Sequence, residues 1–266
     1  MKELIGIGMI IIVIISLIGV QALQGMEIDS LREQIDSMPK FDAGEIYLIK
    51  IKQANIESKI DSINYNISEI KDQLHSSMEW FTTNSKIEDP KIINKLSQCA
   101  DGCNINLNCI AEVNEALGFK YIIDTNETEY LKSIDEFIAD GFGDCEDYSL
   151  LYKAEYNTLV DNMGACDEII STDYETGINL YTDGNMYVIC GQNDEDAHCL
   201  NYIVGIETGK KYFIEPQWGM YDPDFEEEYP TLTFIITDDD FEIYNFDTNT
   251  WYSYSELYDK VENVLK

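Results

Sequence analysis

Apolar residues run from Leu4 to Leu23 with no charge among them, broken only by Ser16, Gln21 and glycines. A run of about 20 such residues is long enough to cross a bilayer as a helix. Lys2 precedes it, and Glu27 and Asp29 follow, a bias that sets the N-terminus inside and the rest of the chain outside. Residues 1–25 are therefore expected to form a single-pass membrane anchor. A cleaved signal peptide is the competing reading, because Val20-Gln21-Ala22 loosely fits a small-residue cleavage site. Both readings put the remainder outside the cytoplasm.

A helical stalk is expected over residues 26–82. Ile28, Leu31, Ile35 and Met38 are spaced 3-4-3 before Pro39 interrupts. The pattern resumes at Ile49, Gln53, Ile56, Ile60, Ile63, Ile67, Ile70 and Leu74, spaced 4-3-4-3-4-3-4. That is a heptad seam with one polar member, Gln53, and it predicts a coiled coil through residues 49–74. Isoleucine at both seam positions leans towards a homo-trimer or homo-tetramer. The alternative is one helix packing its isoleucine stripe on the protein's own domain. Asn66-Ile67-Ser68 and Asn126-Glu127-Thr128 match the glycosylation acceptor pattern.

Residues 83–266 are expected to form one globular domain, punctuated at its start by Asp89-Pro90. Residues 91–117 read as helical, as do 130–139, and a third helix with a broad apolar face runs from Cys145 to a stop at Gly164. After Gly164 the texture becomes strand-like: MYVIC (186–190), HCLNYIVGI (198–206), KYFIEP (211–216) and LTFIIT (232–237), separated by turn residues such as Thr208-Gly209. WYSYSELYDKVENVLK closes the chain with a predicted helix. Helices followed by an antiparallel sheet make an α+β domain.

Composition narrows the function classes. The formal net charge is −34 over 266 residues, so the surface repels nucleic acid phosphates and a nucleic-acid role is excluded. A hydrophobic content of 45% excludes a disordered polyanion. QNDEDAH (192–198) and ITDDDFE (236–242) lack the spacing of a calcium-binding EF-hand loop and read as solvated loops. Carboxylates of the first stretch precede His198 in sequence and are expected to attract a cationic amine there.

The candidate chemistry centres on GFGDCEDYSLL, residues 141–151, which places Cys145 at the first turn of a helix with Asp144 as N-cap. The N–H groups and positive dipole end there are expected to lower the thiol pKa and later to hold an oxyanion. A nucleophilic cysteine needs a base and an orienting group. His198 is the only histidine beyond the stalk, where His75 lies. If HCLNYIVGI and KYFIEP pair across the turn at ETGK, Glu215 falls near His198 at the same end of the hairpin, and a suitable register puts both on one face. There are seven cysteines. Setting Cys145 aside leaves Cys99, Cys103, Cys109, Cys166, Cys190 and Cys199, enough for three disulfides of open connectivity in an exported protein. No CxxC pair or nearby histidine supports zinc at Cys99, Cys103 and Cys109. No cofactor and no metal are expected.

These residues carry a resemblance. GDCEDYSLL resembles the Gly-Asp-Cys-x-Asp signature of the transglutaminase-like superfamily, which shares the papain-like cysteine protease fold. In that family a histidine begins a strand and an aspartate on the next strand completes the triad, often within a D-P-T-W-type motif. Here IEPQWG occupies that place, with Glu215 for the usual Asp and Trp218 where a Trp often stands. The resemblance spans about residues 90–220 and implies catalytic Cys145, His198 and Glu215, with Trp218 as a substrate contact. Trp218, Tyr221 and Tyr229 either line a cleft or pack at its rim. The implied function is a membrane-anchored extracytoplasmic thiol enzyme acting on amide bonds of a protein or peptide through a thioester, hydrolytic in preference to cross-linking. The alternative is an inactive surface module of the same fold that binds peptide or glycan and oligomerises through its stalk.

Overall fold

The structure is a computed structural model and describes residues 43–123, 131–166, 168–245 and 249–265. The expected anchor, residues 1–25, lies outside them, as does the Asn126 acceptor site. Among the described residues no helix is long and apolar enough to cross a membrane.

The chain divides into two compact units, one of them Met78–Ser253 and the other comprising the helical residues before Met78 together with those from Tyr254 onward. In chain order the helices and strands begin with α1 (Ala43–Thr83), α2 (Pro90–Leu96), β1 (Ala100–Asp101), β2 (Asn104–Asn106), α3 (Leu107–Leu117) and β3 (Lys120–Tyr121). There follow α4 (Ile134–Asp140), β4 (Phe142–Gly143), α5 (Cys145–Asn162), β5 (Ile169–Asp173) and β6 (Ile178–Gln192). The rest are β7 (Ala197–Gly205), β8 (Lys211–Glu215), β9 (Met220–Tyr221), α6 (Phe225–Glu228), β10 (Thr231–Ile236), β11 (Phe241–Asn245), β12 (Thr250–Ser253) and α7 (Tyr254–Leu265).

In the helical unit, Ile67 and Leu74 of the α1 seam are buried, and so are Leu257 and Val261 of α7. Lys71 reaches Glu262 at 3.3 Å, and His75 lies against Tyr258 with ring centroids 6.0 Å apart. The seam positions Ile56, Ile60, Ile63 and Ile70 are half-buried, and Gln53 is exposed.

In the larger unit, helices precede a mixed ten-stranded sheet. β6 is fifteen residues long and organises that sheet. One of its edges is shared by β5, over residues 178–182, and β10, over residues 188–192. The other edge takes β7, which continues through β8 to β9. Within this sheet pairing is antiparallel except between β2 and β5, where Asn104 faces Ile170, and β3 and β4 form a separate parallel pair. The fold is thus mixed α/β with a large sheet.

The stretch 91–117, expected to be helical throughout, is two helices. Between them the Cys99–Cys109 disulfide folds back the β1–β2 hairpin. Asp89 caps α2 by accepting from the Lys91 N–H at 2.7 Å, and Asn106 caps α3 through the Cys109 N–H at 3.1 Å. The closing helix begins only at Tyr254, because Trp251–Ser253 pair with β11.

Helix α5 is buried at every position from Cys145 to Leu159 and packs on β6 and β7. Hydrogen bonds offset part of the cost of burying its polar residues. The Tyr152 hydroxyl donates to Leu107 O at 2.8 Å, and the Tyr156 hydroxyl meets Ser171 Oγ at 2.8 Å. Lys153 Nζ, fully buried, pairs with Asp238, which also accepts from Asn157 Nδ2 at 2.7 Å. ITDDDFE is therefore not simply a solvated loop: Asp238 locks the β10–β11 turn to the central helix.

Candidate active site

The delivery of Cys145 is set by local sequence. Ser133 opens α4 with a capping box, accepting from the Glu136 N–H while the Glu136 carboxylate accepts from the Ser133 N–H at 2.9 Å. α4 ends at Gly141 in the left-handed region, φ 75°. Gly143 then passes so close to its neighbours that a Cβ there would lie 2.5 Å from Asp147 Cβ and 2.6 Å from the Phe137 ring. Asp144 is the N-cap with extended backbone, and its carbonyl accepts the first helical bond from the Tyr148 N–H at 3.0 Å. Cys145 is the first helical residue, as the motif predicts. Asp147, the second aspartate of GDCED, accepts from the Lys132 N–H at 2.7 Å and clamps the chain leading into α4.

His198 and Glu215 meet. Residues 201–204 of β7 pair with 211–214 of β8 in one unbroken register, which one further step carries to Glu215 opposite Leu200. Leu200 and His198 are two residues apart on β7 and share a face, so Glu215 is His198's diagonal neighbour. The outcome is a 2.8 Å contact between His198 Nε2 and Glu215 Oε2, with the two side chains 19% and 10% exposed. Gly191 lies directly across from His198. A Cβ at Gly191 would come within 2.9 Å of Tyr229. The missing side chain admits Tyr229, whose ring lies 5.5 Å from the imidazole.

The thiol departs from expectation. Cys145 is buried and donates to Glu146 Oε2 at 3.2 Å. Burial pushes its pKa well up, and the charges of Glu146 and Asp144 push the same way. The N–H of Cys199 works in the opposite direction and does not prevail. The helix-start argument for a lowered pKa fails here because burial of the thiol, and then the two acids that flank it, outweigh the helix dipole. Glu146 is itself raised to about 8, first by burial and then by Asp144, with which it shares a hydrogen bond. The ring's hydrogen bond goes to Glu215 and the thiol's to Glu146, so the thiol–imidazole bond of a working triad is not formed in this state.

Two tyrosines lie within electrostatic reach of the thiol. Tyr121 on β3 is half-buried, and its phenol is raised by burial, then by Cys145, Asp144, Glu215 and Glu146. Tyr229 is raised by burial and by acids that include Asp196, and it too feels Cys145. Sequence reasoning assigned no part to Tyr121 or Glu146. Glu146 stood in the quoted motif, and its place beside the thiol in the first turn was the available signal.

Trp218 is 61% exposed in the turn after Glu215. Asn108 of α3 holds that turn by donating to Trp218 O at 3.3 Å and Gly219 O at 3.2 Å. Tyr221 lies against Tyr212. Asn193 organises the QNDEDAH loop by accepting from the Glu195 and Asp196 N–H groups at 2.8 Å, and residues 193–196 are exposed. The disulfides are Cys99–Cys109, Cys103–Cys166 and Cys190–Cys199, which leaves Cys145 as the free thiol.

No protein-family model matches the chain, and no curated protein matches it. Solved structures of LapG from Legionella pneumophila are similar at 15% identity over 75% of this chain. The EGTA-treated form gives a TM-score of 0.38 over 97% of its length, and the calcium-bound form 0.34 over 99%.

Proposed function

We propose that this chain is a transglutaminase-like thiol enzyme, anchored in a membrane and facing outward, that hydrolyses amide bonds in a protein or peptide. The observation that carries the reading is the 2.8 Å pairing of His198 Nε2 with Glu215 Oε2, in a unit whose one free cysteine opens a buried helix. Glu215 holds Nε2 and leaves Nδ1 to exchange protons. Cys145 turns from Glu146 and gives its proton to Nδ1, and the imidazolium is stabilised by Glu215. The thiolate adds to the substrate carbonyl, and the oxyanion accepts from the Cys145 N–H, one of the first-turn donors without an intrahelical acceptor. His198 returns the proton to the leaving amine, and a thioester remains. Water, deprotonated by His198, then cleaves the thioester and releases the acid. The partial exposure of His198 favours water over an amine as acceptor. Trp218 offers the substrate an exposed aromatic surface beside Glu215.

Residues 4–23 supply the anchor in this reading. The half-buried seam positions of α1 leave apolar area for further copies of the chain through residues 49–74.

A second reading is a non-catalytic module that binds peptide or glycan. It is favoured by the protonated thiol held on Glu146, away from the imidazole. Iodoacetamide alkylation of the full-length chain across pH, mapped by mass spectrometry, separates the two. A Cys145 rate that falls when His198 is changed to Ala supports the enzyme. Identical profiles for wild type and His198→Ala leave the binding module.

A further inference from the structure

The free thiol is not isolated from the other cysteines. Cys145 Sγ, a Glu146 carboxylate oxygen and Cys199 Sγ all lie within 4.8 Å of one another. The backbone of Cys199 also acts on the Cys145 thiol, in the direction that lowers its pKa. Cys199 is bonded to Cys190, its direct partner across β6 and β7, with Cα atoms 4.1 Å apart. A metal does not explain this cluster, because a disulfide sulfur is not a thiolate donor. A thiol poised beside a disulfide sulfur is instead the reactant pair of thiol–disulfide exchange.

We infer that Cys145 and Cys190 compete for Cys199, and that exchange within the folded unit masks and unmasks the Cys145 thiol. Deprotonated Cys145 Sγ attacks Cys199 Sγ. The Cys145–Cys199 bond forms as the Cys190–Cys199 bond breaks, and Cys190 leaves as a thiolate. That thiolate takes up the proton that Cys145 gave to Glu146. One disulfide and one thiol stand on each side, so no oxidant or reductant is consumed. Attack by Cys190 on Cys199 reverses the step. Cys190 and Cys199 are fully buried, which keeps solution thiols out and leaves Cys145 as the competitor at hand. Asp144 and Glu146 on its own helix, Tyr121 on β3 and Tyr229 after α6 are the titratable groups whose fields reach Cys145. Burial, and then the charges of Glu146 and Asp144, raise the thiol, so the attacking thiolate is populated only as pH rises and exchange speeds up with it. The exchange depends only on the three sulfurs. That it switches an enzyme off rests on the function proposed above.

The test is disulfide mapping on the full-length protein. The chain is equilibrated at about pH 8.5, near an ordinary thiol pKa, and quenched in acid. It is then denatured with a maleimide at acid pH and digested without reduction. Two populations are expected: one labelled at Cys145, the other labelled at Cys190 and carrying a Cys145–Cys199 linked peptide. Label confined to Cys145 overturns the inference. A second arm uses Cys190→Ser, which leaves Cys145 facing Cys199. Hydrogen peroxide, small enough to reach the buried pair, is expected to oxidise the two thiols to a Cys145–Cys199 disulfide with release of water, read as the linked peptide and as loss of iodoacetamide labelling at Cys145. A folded variant with an unchanged melting profile that does not close also overturns it. If the cross-link forms while His198→Ala leaves wild-type Cys145 alkylation unchanged, the exchange stands and the enzyme reading falls.

Discussion

His198 Nε2 and Glu215 Oε2 lie 2.8 Å apart as diagonal neighbours on adjacent antiparallel strands. The contact fixes which ring nitrogen faces the carboxylate and which is left to act. It also uses a glutamate, whose extra methylene reaches from a position opposite Leu200 to a ring two residues back along β7. Glu215→Gln keeps a polar partner and removes the charge that holds an imidazolium. Alkylation of Cys145 at neutral pH is expected to slow by about tenfold, the equivalent of one pKa unit. Glu215→Asp is expected to act in the same direction by shortening the reach. An unchanged rate in both variants would falsify the orienting role.

Glu146 predicts the opposite sign. It accepts the thiol's hydrogen bond, and after burial its charge is the largest influence raising Cys145. Glu146→Gln removes that charge and leaves the geometry of the turn in place. The thiol pKa then falls, and alkylation at a fixed pH below it rises by about tenfold for each unit of the fall. The check is the midpoint of the iodoacetamide pH–rate curve, which moves to lower pH. A midpoint that stays or climbs means burial alone sets the thiol.

Much of this arrangement was legible in the sequence, for definite reasons. GDCED placed Cys145 at a helix start because Gly143, Asp144 and the apolar run after them each have a local job. The hairpin between His198 and Glu215 was legible from the turn at ETGK and the apolar runs on either side, while the register that puts both on one face comes from the strand pairing itself. The thiol's protonation was not, because it depends on burial and on acids that a dipole argument leaves out. The first half of β6 went unread because Thr182 and Gly184 occupy inward positions where apolar residues mark a strand. β11 alternates correctly, with Phe241 and Ile243 buried, but its acidic lead-in masked the pattern. The parallel pairing of β2 with β5 joins residues far apart in the chain, which no local pattern encodes.

Glu155 makes stability depend on pH. It is fully buried on α5, accepts from Asn114 Nδ2 at 2.8 Å, and is raised by burial from 4.5 to about 8. The folded chain therefore keeps a proton that the unfolded chain has lost. That stabilising contribution is fully present below about 4.5 and is lost as pH rises through about 8. Glu146 acts in the same direction. Each such group contributes at most about 1.4 kcal/mol per pH unit, roughly 3–5 °C of Tm for a unit of this size. Glu155→Gln is expected to flatten the fall of Tm between about pH 5 and 8 without abolishing it, as read by calorimetry. A slope identical to wild type would place the glutamate's proton elsewhere.

The Cys99–Cys109 and Cys103–Cys166 disulfides should differ in worth, and the order follows from loop length. Cys99–Cys109 closes a separation of 10 residues and Cys103–Cys166 one of 63. Loop-closure entropy assigns about 3 kcal/mol to the first and about 4 kcal/mol to the second. Packing acts in the same direction. Cys103 stands at the strand pair whose parallel register carries β2 onto β5, and its carbonyl accepts from the Ile170 N–H at 2.8 Å. Removing Cys103–Cys166 therefore frees the longer loop and also loosens the parallel strand that anchors the sheet edge. Cys99–Cys109 only tethers the β1–β2 hairpin to the first turn of α3. The paired alanine variants are expected to lower Tm in that order, with Cys103/Cys166 lower by about 3–6 °C. Equal losses would mean that the unfolded chain already holds the 63-residue loop compact, so that the cross-link constrains little.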